Sequence, residues 1–486
     1  MIRDWIEQAA ACRGGGVYLE DARGCGTLTY AALRRAVLAM ERCLDSAGLP
    51  PGARVAVRLS EPLEYATALL ALLGAGRVAV PLDPGAPAAD MARVLATARP
   101  AAAVTDDSFG LPFGIPLLAP DSPGTDRSGA DAGGAGGIFL CTSGTTGTPK
   151  GILLRDEQLV HVAGSVAAHH GLIAADRGYC PLPLFHVNAE VVGLLASLHA
   201  GASLALDRRF SRRGFWEMIG QRRITWINAV PAIISILAIE PPASRPAGVR
   251  FVRSASAPLP RAALERFEDA FGIPVVETYG MTEAASMITA NPLDGPRKPG
   301  SAGLPAGAEV RVLVPDADAR PGDVGGGEGE VGRVQIRGKG VITRYAEGGR
   351  PGAIDPAGWL DTGDLGYLDA DGYLFLVGRS DDVINRGGEK IYPREIEEIL
   401  LAQPGVRSVA VVGAADDVLG ECPVAYVVSE DGWPEEKVAT ALREACQAEL
   451  PRHKQPSVFR LVGELPLGPT GKIARRQLKD LVTAQR

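Results

Sequence analysis

The stretch Arg54-Val55-Ala56-Val57-Arg58-Leu59, followed by Tyr65 to Leu73 and then Val78-Ala79-Val80-Pro81-Leu82, is where the fold becomes legible. Two short apolar runs read as strands, and the Leu/Ala-rich segment between them reads as a helix. Strand–helix–strand units of this kind build parallel sheets covered by helices. The rhythm continues through about the first 300 residues, so the expected class is α/β with largely parallel sheets. No repeat with a period of roughly 20–50 residues is visible.

Outward from that unit, the Gly/Ser/Asp/Pro-rich segment Asp121 to Gly137 reads as a surface loop leading into a short strand, Ile138-Phe139-Leu140. From about 300 to 378 the texture changes. Arg333-Val334-Gln335-Ile336-Arg337 alternates apolar and polar residues, which predicts a small antiparallel or barrel-like subdomain at about 300–379. After Arg379 a compact α+β pattern begins. A helix opens at Tyr392-Pro393, carries Ile396, Ile399 and Leu400, and ends at Pro404-Gly405. Strands Val409 to Val412 and Ala425 to Val428 and a helix Glu435 to Leu450 follow. The boundary is expected near 379, giving domains 1–379 and 380–486.

Composition narrows the function. With 46% hydrophobic and 22% charged residues, the 486-residue chain can bury a sizeable core, which excludes disorder as its main state. The net charge of −7 offers no basic excess for nucleic acid. Seven scattered cysteines without a C-x-x-C pair argue against a disulfide framework or a zinc site and for a reducing compartment. The six histidines form no ligand pattern. The N-terminus lacks the apolar core of a signal peptide, and the longest apolar run, Ala66 to Ala75, is too short to span a bilayer. A cytoplasmic protein with no membrane association is expected. The 60 glycines and 37 prolines, about a fifth of the chain, predict many turns and backbone-lined sites.

One such site stands out directly after the Ile138-Phe139-Leu140 strand: Thr142-Ser143-Gly144-Thr145-Thr146-Gly147-Thr148-Pro149-Lys150-Gly151. Glycines permit close backbone approach, so successive N–H groups can cradle an anion, and the hydroxyls and Lys150 add donors suited to polyphosphate oxygens. Only eight of the basic residues are lysines, which makes one in a glycine-rich loop conspicuous. The spacing is not that of a Walker A loop, because Pro149 stands where the invariant glycine would be.

This loop resembles the phosphate-binding loop of the adenylate-forming (ANL) superfamily, which includes acyl- and aryl-CoA synthetases, adenylation domains and luciferase. Further resemblances recur in family order. They are Leu28-Thr29-Tyr30, Gly74-Ala75-Gly76 through Pro81-Leu82-Asp83, Pro183-Leu184-Phe185-His186, Tyr279-Gly280-Met281-Thr282-Glu283, and Gly329-Glu330 to Gly340. Trp359-Leu360-Asp361-Thr362-Gly363-Asp364, Gly378-Arg379-Ser380-Asp381-Asp382 and Pro469-Thr470-Gly471-Lys472 complete the series.

The resemblance implies the ANL fold, with a mobile C-terminal domain, and ATP-dependent activation of a carboxylate. It implies ATP binding by Thr142, Ser143, Gly144, Thr145, Thr146, Gly147 and Lys150, by Ser256, Ala257 and Pro258, and by Tyr279, Gly280 and Met281. Asp364 and Arg379 would take the ribose, a carboxylate being able to accept both hydroxyls. Glu283 supplies a hard oxygen for Mg²⁺, and Thr282 a donor for the α-phosphate. Lys472 would bridge substrate carboxylate and α-phosphate, and Asp381 would be the hinge. The loop Asn385 to Lys390, with Gly387 and Gly388, would admit a pantetheine thiol. The expected acceptor is therefore CoA, or the phosphopantetheine of an acyl carrier protein.

The acid pocket is expected around His186, Val187, Glu190, Asn228, Val230, Ser254, Ala255, Gly280 and Met287. His186 either gates the thiol or touches the carboxylate, or is a core histidine. The stretch His186-Val187-Asn188-Ala189-Glu190 holds no aspartate to pair an ammonium, which argues against an α-amino acid. Acyl, aryl, dicarboxylic and β-amino acids stay open. Glu190, within an apolar helical run, either recognises an amine or hydroxyl on the substrate or is a polar residue capping or lining the interdomain surface. The leading reading is an acid–CoA ligase acting as a monomer or homodimer; a stand-alone adenylating enzyme that loads a carrier protein or forms an amide is the alternative.

Overall fold

The computed structural model describes residues 1–106, 136–142, 150–239, 247–314, 329–430, 432–467 and 473–484. The loop expected at Asp121 to Gly137 lies, up to residue 135, outside the described residues. By contact density the chain divides into two compact units. The first comprises Met1–Ser256, Arg266–Val310 and Ile336–Leu360, and the second Ala257–Glu265, Arg311–Gln335 and Asp361–Arg486.

The unit read first from sequence is present as strand Arg54–Arg58, helix Pro62–Gly74 and strand Val78–Pro81, the strands pairing in parallel. Pro62 starts the helix at a position where its missing N–H has no partner to lose. Apolar residues occupy nearly every side of this helix, so it is a core helix: Tyr65, Ala66 and the run Ala68 to Gly74 are all buried. The sheet it covers has five strands, ordered Ala102–Thr105, Arg54–Arg58, Val78–Pro81, Gly137–Thr142 and Lys150–Arg155. Only its last pair is antiparallel.

The second sheet of this unit has nine strands. Its central run, Val275–Met281, Phe251–Ser254, Trp226–Ala229, Arg177–Cys180, Ser203–Leu206 and Val17–Asp21, is parallel throughout. Antiparallel strands close both edges. One hydrophobic core includes side chains from both sheets, among them Val55, Leu70, Leu140, Val192, Trp226 and Met287. Largely parallel sheets covered by helices are thus what forms.

In the second unit, strands Leu360–Leu368 and Leu374–Arg379 form an antiparallel pair within a four-stranded sheet that also contains Gly332–Arg337 and Glu309–Leu313. A five-stranded sheet is built on the long hairpin Val406–Asp416 and Gly420–Ser429. Helices Pro393–Leu401 and Glu435–Glu449 bury Ile396, Leu400, Val438 and Leu442 in one core cluster with it. Helix Arg475–Ala484 buries Leu478 and Val482 in another.

Candidate active site

The phosphate-loop residues Ser143, Gly144, Thr145, Thr146 and Gly147 lie outside the described residues, but both flanks are placed. Thr142 stands opposite Lys150 in the antiparallel register of the last two strands of the five-stranded sheet. Behind Lys150, the Gly151 N–H donates to the Glu347 carbonyl at 2.8 Å. A Cβ on Gly151 would come within 2.6 Å of the Phe139 ring, so only glycine allows this approach.

The Lys150 ammonium lies 5.5 Å from the centroid of the Tyr345 ring. The same tyrosine donates its hydroxyl to Glu283 Oε1 at 3.1 Å. One aromatic ring therefore holds the proposed phosphate cation on its face and the proposed metal ligand at its edge. Tyr345 was not singled out in the sequence, because an aromatic beyond Gly340 carries no spacing signal of its own.

Glu283 is buried in a 3₁₀ turn, Thr282–Ala284, that ends strand Val275–Met281. The chain then leaves through Ala285 and Ser286, with φ of +51° and +104°. Two successive non-glycine residues with positive φ store strain of order 1–3 kcal/mol each, a pattern found where a backbone is held for a task. The Ile342 N–H fixes the Glu283 carbonyl at 2.8 Å. Gly280 sits at an irregularity in the strand pairing, and a Cβ there would fall 1.5 Å from the Ser286 carbonyl oxygen. Tyr279 is half-buried against a small cluster containing Ala284, Ile288, Ile336 and Val341. Met281 and Thr282 are half-buried as well.

Among the described residues no group of three or more His, Cys, Asp or Glu could hold a metal ion. A single buried carboxylate oxygen fits Mg²⁺ nonetheless, since that ion keeps several waters and is typically held by one or two carboxylates plus substrate phosphates.

In the second unit the ribose candidates meet. Asp364 and Arg379 are directly opposite in the Leu360–Leu368 and Leu374–Arg379 pair, and Arg379 Nη1 donates to Asp364 Oδ1 at 2.9 Å and to the Thr362 carbonyl at 3.1 Å. Between them Gly363, at φ +77°, lies beneath the guanidinium, where a Cβ would be 2.9 Å from Arg379 Nη2. Asp361 Oδ1 accepts from the Gly363 N–H, and the Thr362 hydroxyl accepts from the Asp364 N–H while donating to Val334. The aspartate is thus set on a braced turn.

Asp381 is exposed on a 3₁₀ turn, Ser380–Asp382. Gly387 and Gly388, at φ +61° and +94°, form the two-residue turn of a hairpin between Ile384–Arg386 and Glu389–Ile391. Such turns need positive φ at both positions, so the glycines have a structural reason of their own. Asn385 Oδ1 accepts from the Gly388 N–H at 3.1 Å. Lys472 lies outside the described residues; Leu467 and Ile473, which flank it, pair as an antiparallel bridge.

The acid-pocket residues fall on one π-helix and the turn before it, at the ends of parallel strands, and, for Met287, on the antiparallel strand Ser286–Ala290. Asn188–Leu195 is a π-helix with every residue buried, a geometry frequent at functional sites. It carries Glu190, fully buried with neither carboxylate oxygen hydrogen-bonded. Burial holds its carboxyl well above the ordinary range. It is neither a helix cap nor a surface side chain. Asn228, on strand Trp226–Ala229, donates to Asn188 Oδ1 at 3.2 Å and to Cys180 Sγ at 3.8 Å. Its register partner Arg253, absent from the sequence reading, is 1% exposed and donates from Nη1 to Asn188 Oδ1 at 2.9 Å and Asn228 Oδ1 at 3.1 Å. Asn188 Nδ2 donates in turn to Ser256 Oγ at 3.4 Å, a residue at φ +75°. Ser256, Ala257 and Pro258 are exposed, whereas Ser254, Ala255 and Met287 are buried. His186 and Val187, immediately before the π-helix, and Val230 are half-buried, and the His186 ring packs edge-on against Phe185.

Residues 6–129 and 138–346 match the AMP-binding enzyme family, and residues 395–472 match the AMP-binding enzyme C-terminal domain. The sulfoacetate–CoA ligase of Cupriavidus necator is 39% identical over 475 residues, covering 93% of this chain and 92% of the relative. An oxalate–CoA ligase of Arabidopsis thaliana is 34% identical, covering 92% of each. The o-succinylbenzoate CoA synthetase of Bacillus subtilis, solved with its acyl-adenylate intermediate, aligns with a TM-score of 0.85 at 30% identity over 98% of each chain. A second structure of it holds ATP and a magnesium ion. The fold, the ordered motifs and these likenesses together place the chain among the AMP-binding, adenylate-forming enzymes, as a ligase of the acyl-CoA synthetase type.

Proposed function

We propose that the enzyme joins a small carboxylic acid to CoA in two half-reactions, with ATP and Mg²⁺. In the first, a carboxylate oxygen bonds to the α-phosphorus, the bond to pyrophosphate breaks, and an acyl-adenylate forms. In the second, a thiolate attacks the acyl carbonyl and AMP leaves. Charge and alignment dominate such barriers, so positioned cations and donors are the groups to look for.

Each candidate has a task this chemistry needs. Lys150 and the loop from Thr142 hold phosphate oxygens. Tyr345 orients Glu283, which would hold Mg²⁺; that ion neutralises phosphate charge when bound. Thr282 donates to the α-phosphate, and Tyr279 stacks on adenine. Asp364 and Arg379 take the ribose. Lys472 bridges the two reacting groups, and Asp381 is the hinge about which residues 380–486 reorient so that the Gly387-Gly388 turn admits the thiol.

The pairing of Asp364 with Arg379 is the observation that most favours this division of roles, because two motifs separated in sequence converge on one hydrogen-bonded pair as ribose binding requires. The acids named for the relatives, sulfoacetate, oxalate and succinylbenzoate, each carry a second anionic group beside the carboxylate, and an acid of that class is the expected substrate. CoA is the acceptor, with a carrier protein's phosphopantetheine as the alternative. Among the described residues no helix is long and apolar enough to cross a membrane. The expected setting is the cytoplasm, and the expected state a monomer or homodimer.

The test is Lys472→Ala. It is expected to abolish ATP–pyrophosphate exchange while leaving the circular dichroism unchanged. Near-normal exchange would remove Lys472 from the mechanism. CoA thioester against acylated carrier protein, followed by mass, separates the two acceptors.

A further inference from the structure

Arg253 is one of the two most deeply buried arginines, each 1% exposed. The other, Arg77, is matched by Asp45 at 2.6 Å and by the Ala75 and Leu49 carbonyls. Further arginines of the same unit are matched too: Arg177 and Arg222 by Glu20, Arg250 by Asp176. Arg253 makes no ion pair among the described residues. Nη1 is occupied by two neutral amide oxygens, Nε is buried with no hydrogen-bond partner, and Nη2 makes no hydrogen bond among the described residues.

Among the described residues no carboxylate pairs with it. The Cys180 thiol is pushed up to about 11 by burial and stays protonated. His169 and His170 are held below their ordinary range by burial and by the guanidinium itself, so both are neutral. Glu190, two residues along the π-helix from Asn188, has both carboxylate oxygens without a hydrogen-bond partner and forms no ion pair with it, and burial holds its carboxyl well above the ordinary range. A guanidinium taken out of water without a counter-charge carries a desolvation penalty that two neutral amide oxygens do not offset. Its planar fork of donors matches a carboxylate or sulfonate in bidentate fashion.

We propose that Arg253, aimed by Asn188 and Asn228, is the specificity-determining residue that takes the second anionic group, carboxylate or sulfonate, of a short acid whose first carboxylate is adenylated. The proposal rests on the ligase reading above and names its substrate class. The network reaches toward the reaction centre through Asn188 and Ser256, which belongs to the segment assigned to ATP. Asn188 and Asn228 use their oxygens to fix the guanidinium plane, leaving its other edge for the ligand.

The experiment uses the full chain as wild type, Arg253→Met and Arg253→Lys. Pyrophosphate release is measured with size-matched acids: sulfoacetate, malonate and succinate against propionate and butyrate. The ratio of kcat/KM for doubly over singly charged acids is expected to be at least 100 in the wild type, to fall toward unity in Arg253→Met and to be intermediate in Arg253→Lys. Thermal shift gives a readout independent of turnover: the dianions raise the melting temperature of the wild type and not of Arg253→Met. An equal loss for both sets of acids, or a wild type that prefers the singly charged set, overturns the proposal while the ligase reading stands. Silent turnover with a dianion shift in the wild type that Arg253→Met abolishes overturns the ligase reading and supports Arg253 as the dianion contact alone. Neither turnover nor shift overturns both.

Discussion

Glu190→Gln isolates the free energy of keeping one carboxyl protonated in the core. Glu190 is 0% exposed, with both carboxylate oxygens unpartnered, so burial raises its proton affinity well above the ordinary value of 4.5. In the unfolded chain the same group ionises near that ordinary value. The folded state therefore binds the extra proton, and the stability tied to it is fully present below about pH 4.5 and is lost as pH rises toward the raised folded value. The loss runs at about 1.4 kcal/mol per pH unit while the folded carboxyl stays neutral. Between pH 5 and pH 7 that amounts to at most about 2.5 kcal/mol, the limit set by the unfolded carboxyl.

Glutamine has the same shape and never titrates. Its unpartnered amide carries a desolvation penalty of roughly 1–3 kcal/mol, but this is the same at both pH values and cancels. The assay is urea unfolding of both proteins at pH 5 and pH 7, followed by tryptophan fluorescence, to which Trp226, fully buried in the same unit, contributes. The stability of Glu190→Gln relative to wild type is expected to improve from pH 5 to pH 7, by at most about 2.5 kcal/mol. A difference that does not move with pH would refute a neutral buried carboxyl.

Gly280→Ala should abolish adenylation and lower the melting temperature, because its Cβ would fall 1.5 Å from the Ser286 carbonyl, in the turn that carries Glu283; near-normal exchange and melting would show that the turn relaxes. Tyr345→Phe removes the 3.1 Å hydrogen bond to Glu283 and, at about 1 kcal/mol, should raise the Mg²⁺ concentration for half-maximal pyrophosphate release about fivefold with little change in KM for the acid. An unchanged Mg²⁺ dependence would separate Tyr345 from the metal site.

Much of this molecule was legible along the chain. The valine-rich strands around helix Pro62–Gly74 announced the parallel sheet because backbone period and side-chain character are local properties. The motif order identified the family for a similar reason: turns such as Trp359 to Asp364 hold their geometry through adjacent glycines and hydroxyls. Gly280 and Gly363 fall within those motifs, and the structure supplies the reason for each: a carbonyl 1.5 Å from one missing Cβ and a guanidinium 2.9 Å from the other.

What the chain order did not reveal was which distant residues meet. Tyr345 joins Lys150 to Glu283 across 195 and 62 positions of sequence, and no periodicity encodes that. Glu190 could be read as substrate-directed or as lining a surface until packing removed it from water on every side. Arg253 looked like an ordinary strand residue beside a noticed motif. Its isolation depends on register, which sets it opposite Asn228, and on a π-helix that brings Asn188 rather than a carboxylate to its head group. Sequence determined the fold and the nucleotide chemistry because both are written in local patterns; tertiary structure decided where charge is left uncompensated, because that is a sum over neighbours that only folding assembles.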